Sequence, residues 1–270
     1  AAAGVTLVVL TGEFDLSGVA VIGVANCVVA TISTVSSFGW LSSLAAVLAI
    51  GAGVGLLNGV LVSVLGLQSL AVTIGTMIGC EGAALLILSA PGGEVADAIA
   101  NGLTGHVLGV VPVAAVILVI LCAIWLVFKR TQLGIAIFAV GADSPAARLS
   151  GVNERQTKLA AFIIAGLCYG AAGYMLSAQT DTGDPRASDA LLLFMYAAVA
   201  IGGTSLMGGR GGVFGSVIGA GILTVMQKML FALGVAEFYT DVFNGVIMIV
   251  ALIIGNVSAA LARQTRRRTA

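Results

Sequence analysis

Residues 140–158, VGADSPAARLSGVNERQTK, form the longest polar stretch in a chain that is otherwise almost entirely apolar. Charged residues make up only 9% of the 270 residues, yet this stretch carries Asp143, Arg148, Glu154, Arg155 and Lys158. Apolar runs lie on both sides of it, and about 20 apolar residues are enough to cross a bilayer as a helix. We therefore expect the stretch to lie outside the membrane, where another molecule contacts it.

The composition predicts an integral membrane protein. Hydrophobic residues make up 59% of the chain and the mean hydropathy is +1.13, whereas about a quarter of the residues of a soluble domain are charged. A membrane β-barrel would show short alternating segments instead of long apolar runs. The net charge is zero, so no overall field attracts nucleic acid. We expect an all-α, polytopic bundle of about 8–10 membrane segments.

Seven apolar segments have spanning length, and they run approximately over 18–38, 41–65, 69–90, 107–128, 159–177, 213–233 and 242–261. Two shorter segments, 1–10 and 190–201, are typical of half-helices or re-entrant elements. The chain opens without Met, a basic region or a cleavage site, so we expect a natural N-terminal segment to precede it. All 270 residues are predicted to form a single transmembrane domain.

Basic residues favour the cytoplasmic side of short loops. They cluster around 140–158 and near the C-terminus, whereas 91–106, 178–189 and 234–241 are mostly acidic. The polar stretch and the C-terminus are therefore predicted to be cytoplasmic, provided that 190–201 crosses the membrane.

Glycines recur at four-residue spacing on several predicted helices: Gly51, Gly55 and Gly59; Gly75 and Gly79; Gly166 and Gly170; Gly215 and Gly219. Small residues on one face let membrane helices approach closely. Three interpretations fit this spacing: packing between helices of the same chain, a dimer seam, or an interface that slides during transport.

A polar break, TGEFDLSG, occupies residues 11–18. Asp15 and Ser17 are candidate caps for the next helix. A broken membrane helix must face protein or water, so a gate or a pathway lining fits the same residues. Glu81 is the only charge well inside a clear span, and is either a relay residue or a hydrogen-bonded structural one. Asp15, Ser17 and Glu81 are therefore our candidates for a gate or pathway.

A second glycine-rich segment, GGTSLMGGRGG, covers residues 202–212. It lacks the GK[ST] ending of a phosphate-binding loop, so we expect a compact inner turn instead. Its flexible positions are Gly202, Gly203, Gly208, Gly209, Gly211 and Gly212.

The sequence contains no motif for hydrolysing ATP. It has no phosphate loop and no HExxH, and its one histidine, His106, falls in a predicted outer loop. The four cysteines are far apart and lack metal-site spacing. We predict no catalytic residues, no metal site and no cofactor bound by this chain.

The polar stretch itself shows a weak helical pattern. Ala146, Leu149 and Val152 recur at three-residue spacing, which fits a short amphipathic helix or an ordinary solvated loop. A short helix with small apolar residues is what a groove on a partner protein accepts.

Several segments resemble the permease subunits of bacterial ABC importers for ribose, xylose and related simple sugars. These are GVTLVVLTGEFDLSG (4–18), LLNGVLVSVLGLQSLAVTIGTM (56–77), VGADSPAARLSGVN (140–153) and AAVAIGGTSLMGGRGGVFGSVIGAGIL (197–223). The chain departs from the family pattern where Gly18 directly follows Ser17, and at Glu81, where many members carry an arginine.

The resemblance implies a multi-pass protein of the bacterial inner membrane that works by alternating access. Its implied partners are a separate ABC ATPase subunit carrying ATP and Mg²⁺, a second permease copy (the same chain or a close paralogue), a periplasmic solute-binding protein and membrane lipid. The ATPase-docking residues carried over by position are Ala146, Ala147, Arg148, Leu149, Ser150 and Gly151. A branched-chain amino acid, a nucleoside or a signalling sugar are alternative solutes, and an autonomous secondary carrier is the rival class.

Overall fold

The computed structural model describes residues 1–107, 109–234, 242 and 245–246. Its helices are α1 (Ala2–Leu10), α2 (Gly18–Ile32), α3 (Gly39–Ser63), α4 (Ser69–Ile87), α5 (Asp97–Thr104), α6 (Val113–Phe128), α7 (Gln132–Ala142), α8 (Ser144–Leu149), α9 (Glu154–Thr180), α10 (Leu191–Ile201) and α11 (Val213–Ala232). Two short antiparallel strands, β1 (His106–Val107) and β2 (Val111–Pro112), pair with each other.

Four of these helices, α3, α4, α9 and α11, are long and apolar enough to cross a membrane. Helices α6 and α7 pass the same test as a pair, but they are bent by 77° at the break between them. Helices α2 and α10 are apolar but shorter. The prediction of an all-α membrane protein with broken helices is confirmed, whereas the predicted span 242–261 falls almost entirely outside the described residues.

The predicted span 107–128 was wrong at its start, whereas its end at residue 128 is where α6 ends. The helix begins at Val113 rather than at 107, because the β1–β2 hairpin, with Gly109 at φ +72°, occupies the preceding residues. After α6 the chain turns and forms α7, which was not predicted from the sequence. Thr131 starts this helix, since its side-chain oxygen accepts a hydrogen bond from the Gly134 amide at 3.1 Å.

Helix α1 lies at the centre of the bundle. Eight of its nine residues are buried, and α7, α9, α10 and α11 all contact it. Its sequence, AAGVTLVVL, is apolar on almost every side, as expected of a helix that is surrounded by others. The short first segment of the chain is thus a core element rather than a peripheral one.

Most of the four-spaced glycines mark close contacts within the chain. A Cβ on Gly51 would overlap the Gly166 carbonyl on α9, and one on Gly55 would overlap the Phe162 carbonyl. Gly215 meets Gly202 in the same way. Gly75 and Gly79 differ, because nothing in the described part of the chain lies within 4 Å of a Cβ built on either.

The loops collect at two ends of the bundle. At one end, which we call the polar-loop end, residues 140–158 meet the turn 202–212, and Gly208 lies against Gly141. At the other end, Gly92 and Gly183 exchange backbone hydrogen bonds of 2.8 and 2.9 Å, which joins loops 91–106 and 178–189. This grouping matches the predicted inner and outer loops, while the third predicted outer loop, 234–241, is described only at Gly234. Which end faces the cytoplasm stays a prediction.

The α3–α9 contact yields a test with a matched control. Gly51→Ala and Gly53→Ala both gain roughly 1 kcal/mol of helix propensity. Only Gly51 faces another backbone, because nothing lies within 4 Å of a Cβ on Gly53. Overpacking costs roughly 1–3 kcal/mol, so we expect Gly51→Ala to have a lower thermal midpoint in detergent than Gly53→Ala. Equal midpoints would contradict the described packing.

Candidate docking helix, helix break and glycine turn

The predicted docking residues form a short helix with defined ends. The Asp143 side chain accepts a hydrogen bond from the Ala146 amide at 3.0 Å, and Pro145 lies in the first turn. The chain leaves α8 through Ser150 and through Gly151, whose φ of +84° suits glycine. Helix α8 therefore ends at Leu149, and Val152 lies beyond it.

The exposed side of α8 is defined by Leu149. Its side chain is 91% exposed, whereas Ala147 is only 5% exposed and faces the bundle. The three-residue pattern had selected Ala146, Leu149 and Val152 as one face, but Val152 lies outside the helix and Ala147 is the buried contact. A large apolar side chain so exposed at the tip of a polar loop suits contact with another molecule.

A chain of ion pairs connects α8 to the helix break. Arg148 Nε lies 3.5 Å from Glu154 Oε2, and Lys158 Nζ lies 2.9 Å from Glu154 Oε1. The same Lys158 nitrogen donates to Glu13 Oε1 at 2.7 Å. Asn153 begins α9 by accepting a hydrogen bond from the Gln156 amide, and so fixes the turn that carries Glu154 and Lys158.

Side chains from other helices satisfy backbone amides of the break. The Phe14 amide donates to Ser69 Oγ at 3.3 Å, and the Asp15 amide donates to the Tyr196 hydroxyl at 3.0 Å. The Phe14 and Tyr196 rings stack with centroids 6.1 Å apart. Within a membrane such amides need partners from the protein, and α4 and α10 supply them.

Asp15 and Ser17 are both buried, with 1% exposure each. Asp15 Oδ1 accepts hydrogen bonds from the Ser17 amide at 3.0 Å and from the Ser17 hydroxyl at 2.6 Å. Asn58 Nδ2 donates to Ser17 Oγ at 2.8 Å. Ser17 occupies the N-cap position of α2 but makes no side-chain cap bond, so the expected capping is replaced by this closed network.

Two buried polar atoms beside this network have no hydrogen-bond partner within the described residues. They are Asn58 Oδ1 and the Tyr169 hydroxyl. Tyr169 also fills the space beside Gly18, where a Cβ would collide with its ring. The glycine that directly follows Ser17 is therefore required by the packing of Tyr169.

The glycine-rich segment 202–212 forms the expected compact turn. Gly203, Gly208, Gly209 and Gly211 have positive φ, between +71° and +118°, which other residues rarely adopt. Gly202 and Gly212 bound the turn at the end of α10 and the start of α11.

The glycine turn also contacts two other segments. The Gly209 amide donates to the Leu10 carbonyl at 3.0 Å, and Gly208 lies against Gly12. Gly209 packs on Ala142, the last residue of α7. The turn thus joins the end of α1 to the chain entering α8.

Glu81 is separate from these groups. It lies half-buried on α4, and no hydrogen bond or ion pair of its side chain occurs among the residues that the structure describes. Its assignment as a relay or a structural residue stays a prediction.

The comparison with known proteins identifies the family. The family described as "Branched-chain amino acid transport system / permease component" matches residues 1–252. The chain belongs to this family. It is therefore a multi-pass membrane permease, and the expected family resemblance is confirmed. No solved structure matches the chain.

Curated relatives of this permease cover nearly its whole length. It is 32% identical to the ribose import permease protein RbsC of Escherichia coli K12, with 94% of this chain and 81% of that protein covered. It is 34% identical to the fructose import permease protein FruF of Bifidobacterium longum, with 97% and 77% covered. For the galactofuranose transporter permease protein YtfT of Escherichia coli K12 the identity is 34%, with 94% and 74% covered.

Several residues of the site were not singled out from the sequence. Asn58, Tyr169 and Tyr196 come from three distant helices and meet only in the fold. A buried polar residue in an apolar helix was the one available signal. Glu13 and Lys158 were noted as charges, but their pairing joins segments 145 positions apart.

The network at the break predicts a difference between two substitutions of Asp15. Asp15→Ala leaves the Ser17 amide and hydroxyl without their acceptor, which costs roughly 1–3 kcal/mol for each buried unsatisfied group. Asp15→Asn keeps an acceptor oxygen of the same shape. We expect Asp15→Ala to lower the thermal midpoint in detergent clearly more than Asp15→Asn, and the reverse order would refute the network.

Proposed function

We propose that this permease is the membrane subunit of an ABC importer that moves a simple sugar into the cytoplasm. A separate ATPase subunit supplies the energy, a periplasmic solute-binding protein delivers the sugar, and a second permease copy completes the pathway. The family supports a permease, and the names of the ribose, fructose and galactofuranose relatives support a sugar as solute.

The observation that carries the proposal is the exposed docking helix. Residues 146–151 lie in and just after α8, and Leu149 projects from a loop otherwise held by hydrogen bonds and ion pairs. The sequence has no phosphate loop, so in this proposal ATP is hydrolysed by another protein. Helix α8 is the contact through which the ATPase acts, with Leu149 as the apolar anchor in its groove.

Alternating access requires an element that has two arrangements. The break at 11–17 is that element in our proposal, because it separates α1 from α2 in the centre of the bundle. In the described state Asp15 and Ser17 are enclosed, so they do not line an open pathway. They act as parts of a closed gate whose hydrogen bonds rearrange when the pathway opens.

The first alternative is the same architecture with another solute, which the name of the family itself favours, since it specifies a branched-chain amino acid. The other is a secondary carrier that works alone. A carrier would move solute without ATP, whereas the importer depends on its ATPase.

Uptake into liposomes separates these classes. The permease is reconstituted alone, and separately with its cognate ATPase and solute-binding protein, with ATP enclosed on the ATPase side. Labelled ribose, fructose, galactose and leucine are the probes. We expect uptake of a sugar only in the complete, ATP-containing vesicles. ATP-independent uptake by the permease alone would overturn the proposal. ATP-driven uptake of leucine, without uptake of any sugar, would show that the solute is an amino acid and not a sugar.

A further inference from the structure

We propose that Lys158 is a positioning residue that couples the docking helix to the helix break, by holding Glu13 and Glu154 at the same time. This inference rests on the proposed function and names the connection through which ATPase movement reaches the gate.

The geometry places one cation between two segments with different tasks. Lys158 Nζ lies 2.7 Å from Glu13 Oε1, in the break, and 2.9 Å from Glu154 Oε1, in the first turn of α9. Glu154 also contacts Arg148 of α8, 3.5 Å away. Side-chain contacts therefore run without interruption from the docking helix to a residue two positions before Asp15.

The ion pairs of Lys158 are partly buried, unlike an ion pair on the protein surface. Glu13, Glu154 and Lys158 are only 19%, 20% and 16% exposed, whereas Arg148 is 62% exposed. Screening by water and salt is weaker for partly buried pairs, so the Lys158 contacts hold their geometry better than the outer Arg148 contact. We assign the coupling to Lys158 for this reason, and not to Arg148.

A lysine between two carboxylates can exchange partners without losing its charge compensation. An open cleft of about 400 Å³ is lined by these three residues together with Arg155 and residues 62–67. This space allows α9 and the break to shift relative to each other. A tilt of the first turn of α9, which carries Glu154 and Lys158, then pulls on Glu13 or releases it.

A second contact confines the movement to the break. The glycine turn fixes the end of α1 through the hydrogen bond between the Gly209 amide and the Leu10 carbonyl, which are 3.0 Å apart. Glu13 lies just beyond this fixed point. Displacement of Glu13 is therefore directed towards Asp15 and the start of α2, rather than back along α1.

Neutralising the pair tests the proposal. Lys158→Gln and Glu13→Gln each remove the same ion pair, and Arg155→Gln is the control, since its guanidinium makes no ion pair within the described residues. Sugar uptake and ATP hydrolysis are measured together in the complete vesicles. We expect each of the first two variants to lower the ratio of sugar moved to ATP hydrolysed about fivefold or more, while the ATPase stays bound. Arg155→Gln should keep the wild-type ratio.

Two further variants distinguish a coupling role of Lys158 from a purely structural role. The double variant Glu13→Gln/Lys158→Gln should be no worse than Lys158→Gln, because Lys158→Gln already removes the ion pair with Glu13. Lys158→Arg keeps the charge and should restore most of the ratio. Effects that multiply in the double variant, a wild-type ratio in Lys158→Gln, or failure of both single variants to fold would overturn the inference.

The outcome also separates this inference from the function on which it rests. ATP-driven uptake by the wild-type assembly together with an unchanged ratio in Lys158→Gln would remove only the role of Lys158. Absence of ATP-driven uptake by the wild-type assembly would overturn the proposed function, and the inference with it.

Discussion

Backbone amides inside a membrane need hydrogen-bond partners from the protein, and the break between α1 and α2 depends on this constraint. The chain meets this constraint at 11–17 by bringing side chains from other helices to the break. Tyr196 and Ser69 accept from its amides, and Asp15 accepts from Ser17. The position of α1 and α2 is thereby tied to α4 and α10.

Glycines and charged residues hold the end of α1 at the polar-loop end. The glycine turn reaches the Leu10 carbonyl because residues with side chains could not adopt its backbone conformation so close to α7. Lys158 donates a hydrogen bond to Glu13, three residues after Leu10. The end of α1 is therefore held between a backbone contact and an ion pair, directly beside the loop that carries α8.

Much of this architecture was predictable because it follows from composition along the chain. Long apolar runs predicted the major helices, and TGEFDLSG indicated a break at 11–18, one residue longer than the observed break. Helix α7 was not predicted, because its 11 residues are too few to cross a membrane by themselves and follow closely after Lys129 and Arg130. The partners of the break were also unpredictable, since Asn58 and Tyr196 meet it only through tertiary packing. The roles proposed for Asp15, Ser17, Glu81 and residues 146–151 are matters of function, which the fold alone does not test.

Docking of α8 on an ATPase is tested most directly by measuring the binding of that ATPase. Leu149→Glu places a charge at the 91% exposed tip of α8, whereas Val110→Glu makes the same change at a 79% exposed residue in the loop at the opposite end. Titration of the detergent-solubilised permease with its cognate ATPase should show affinity reduced about tenfold or more for Leu149→Glu, the range expected for an interface anchor. Val110→Glu should bind as the wild type does. Unchanged affinity of a folded Leu149→Glu variant would contradict the account.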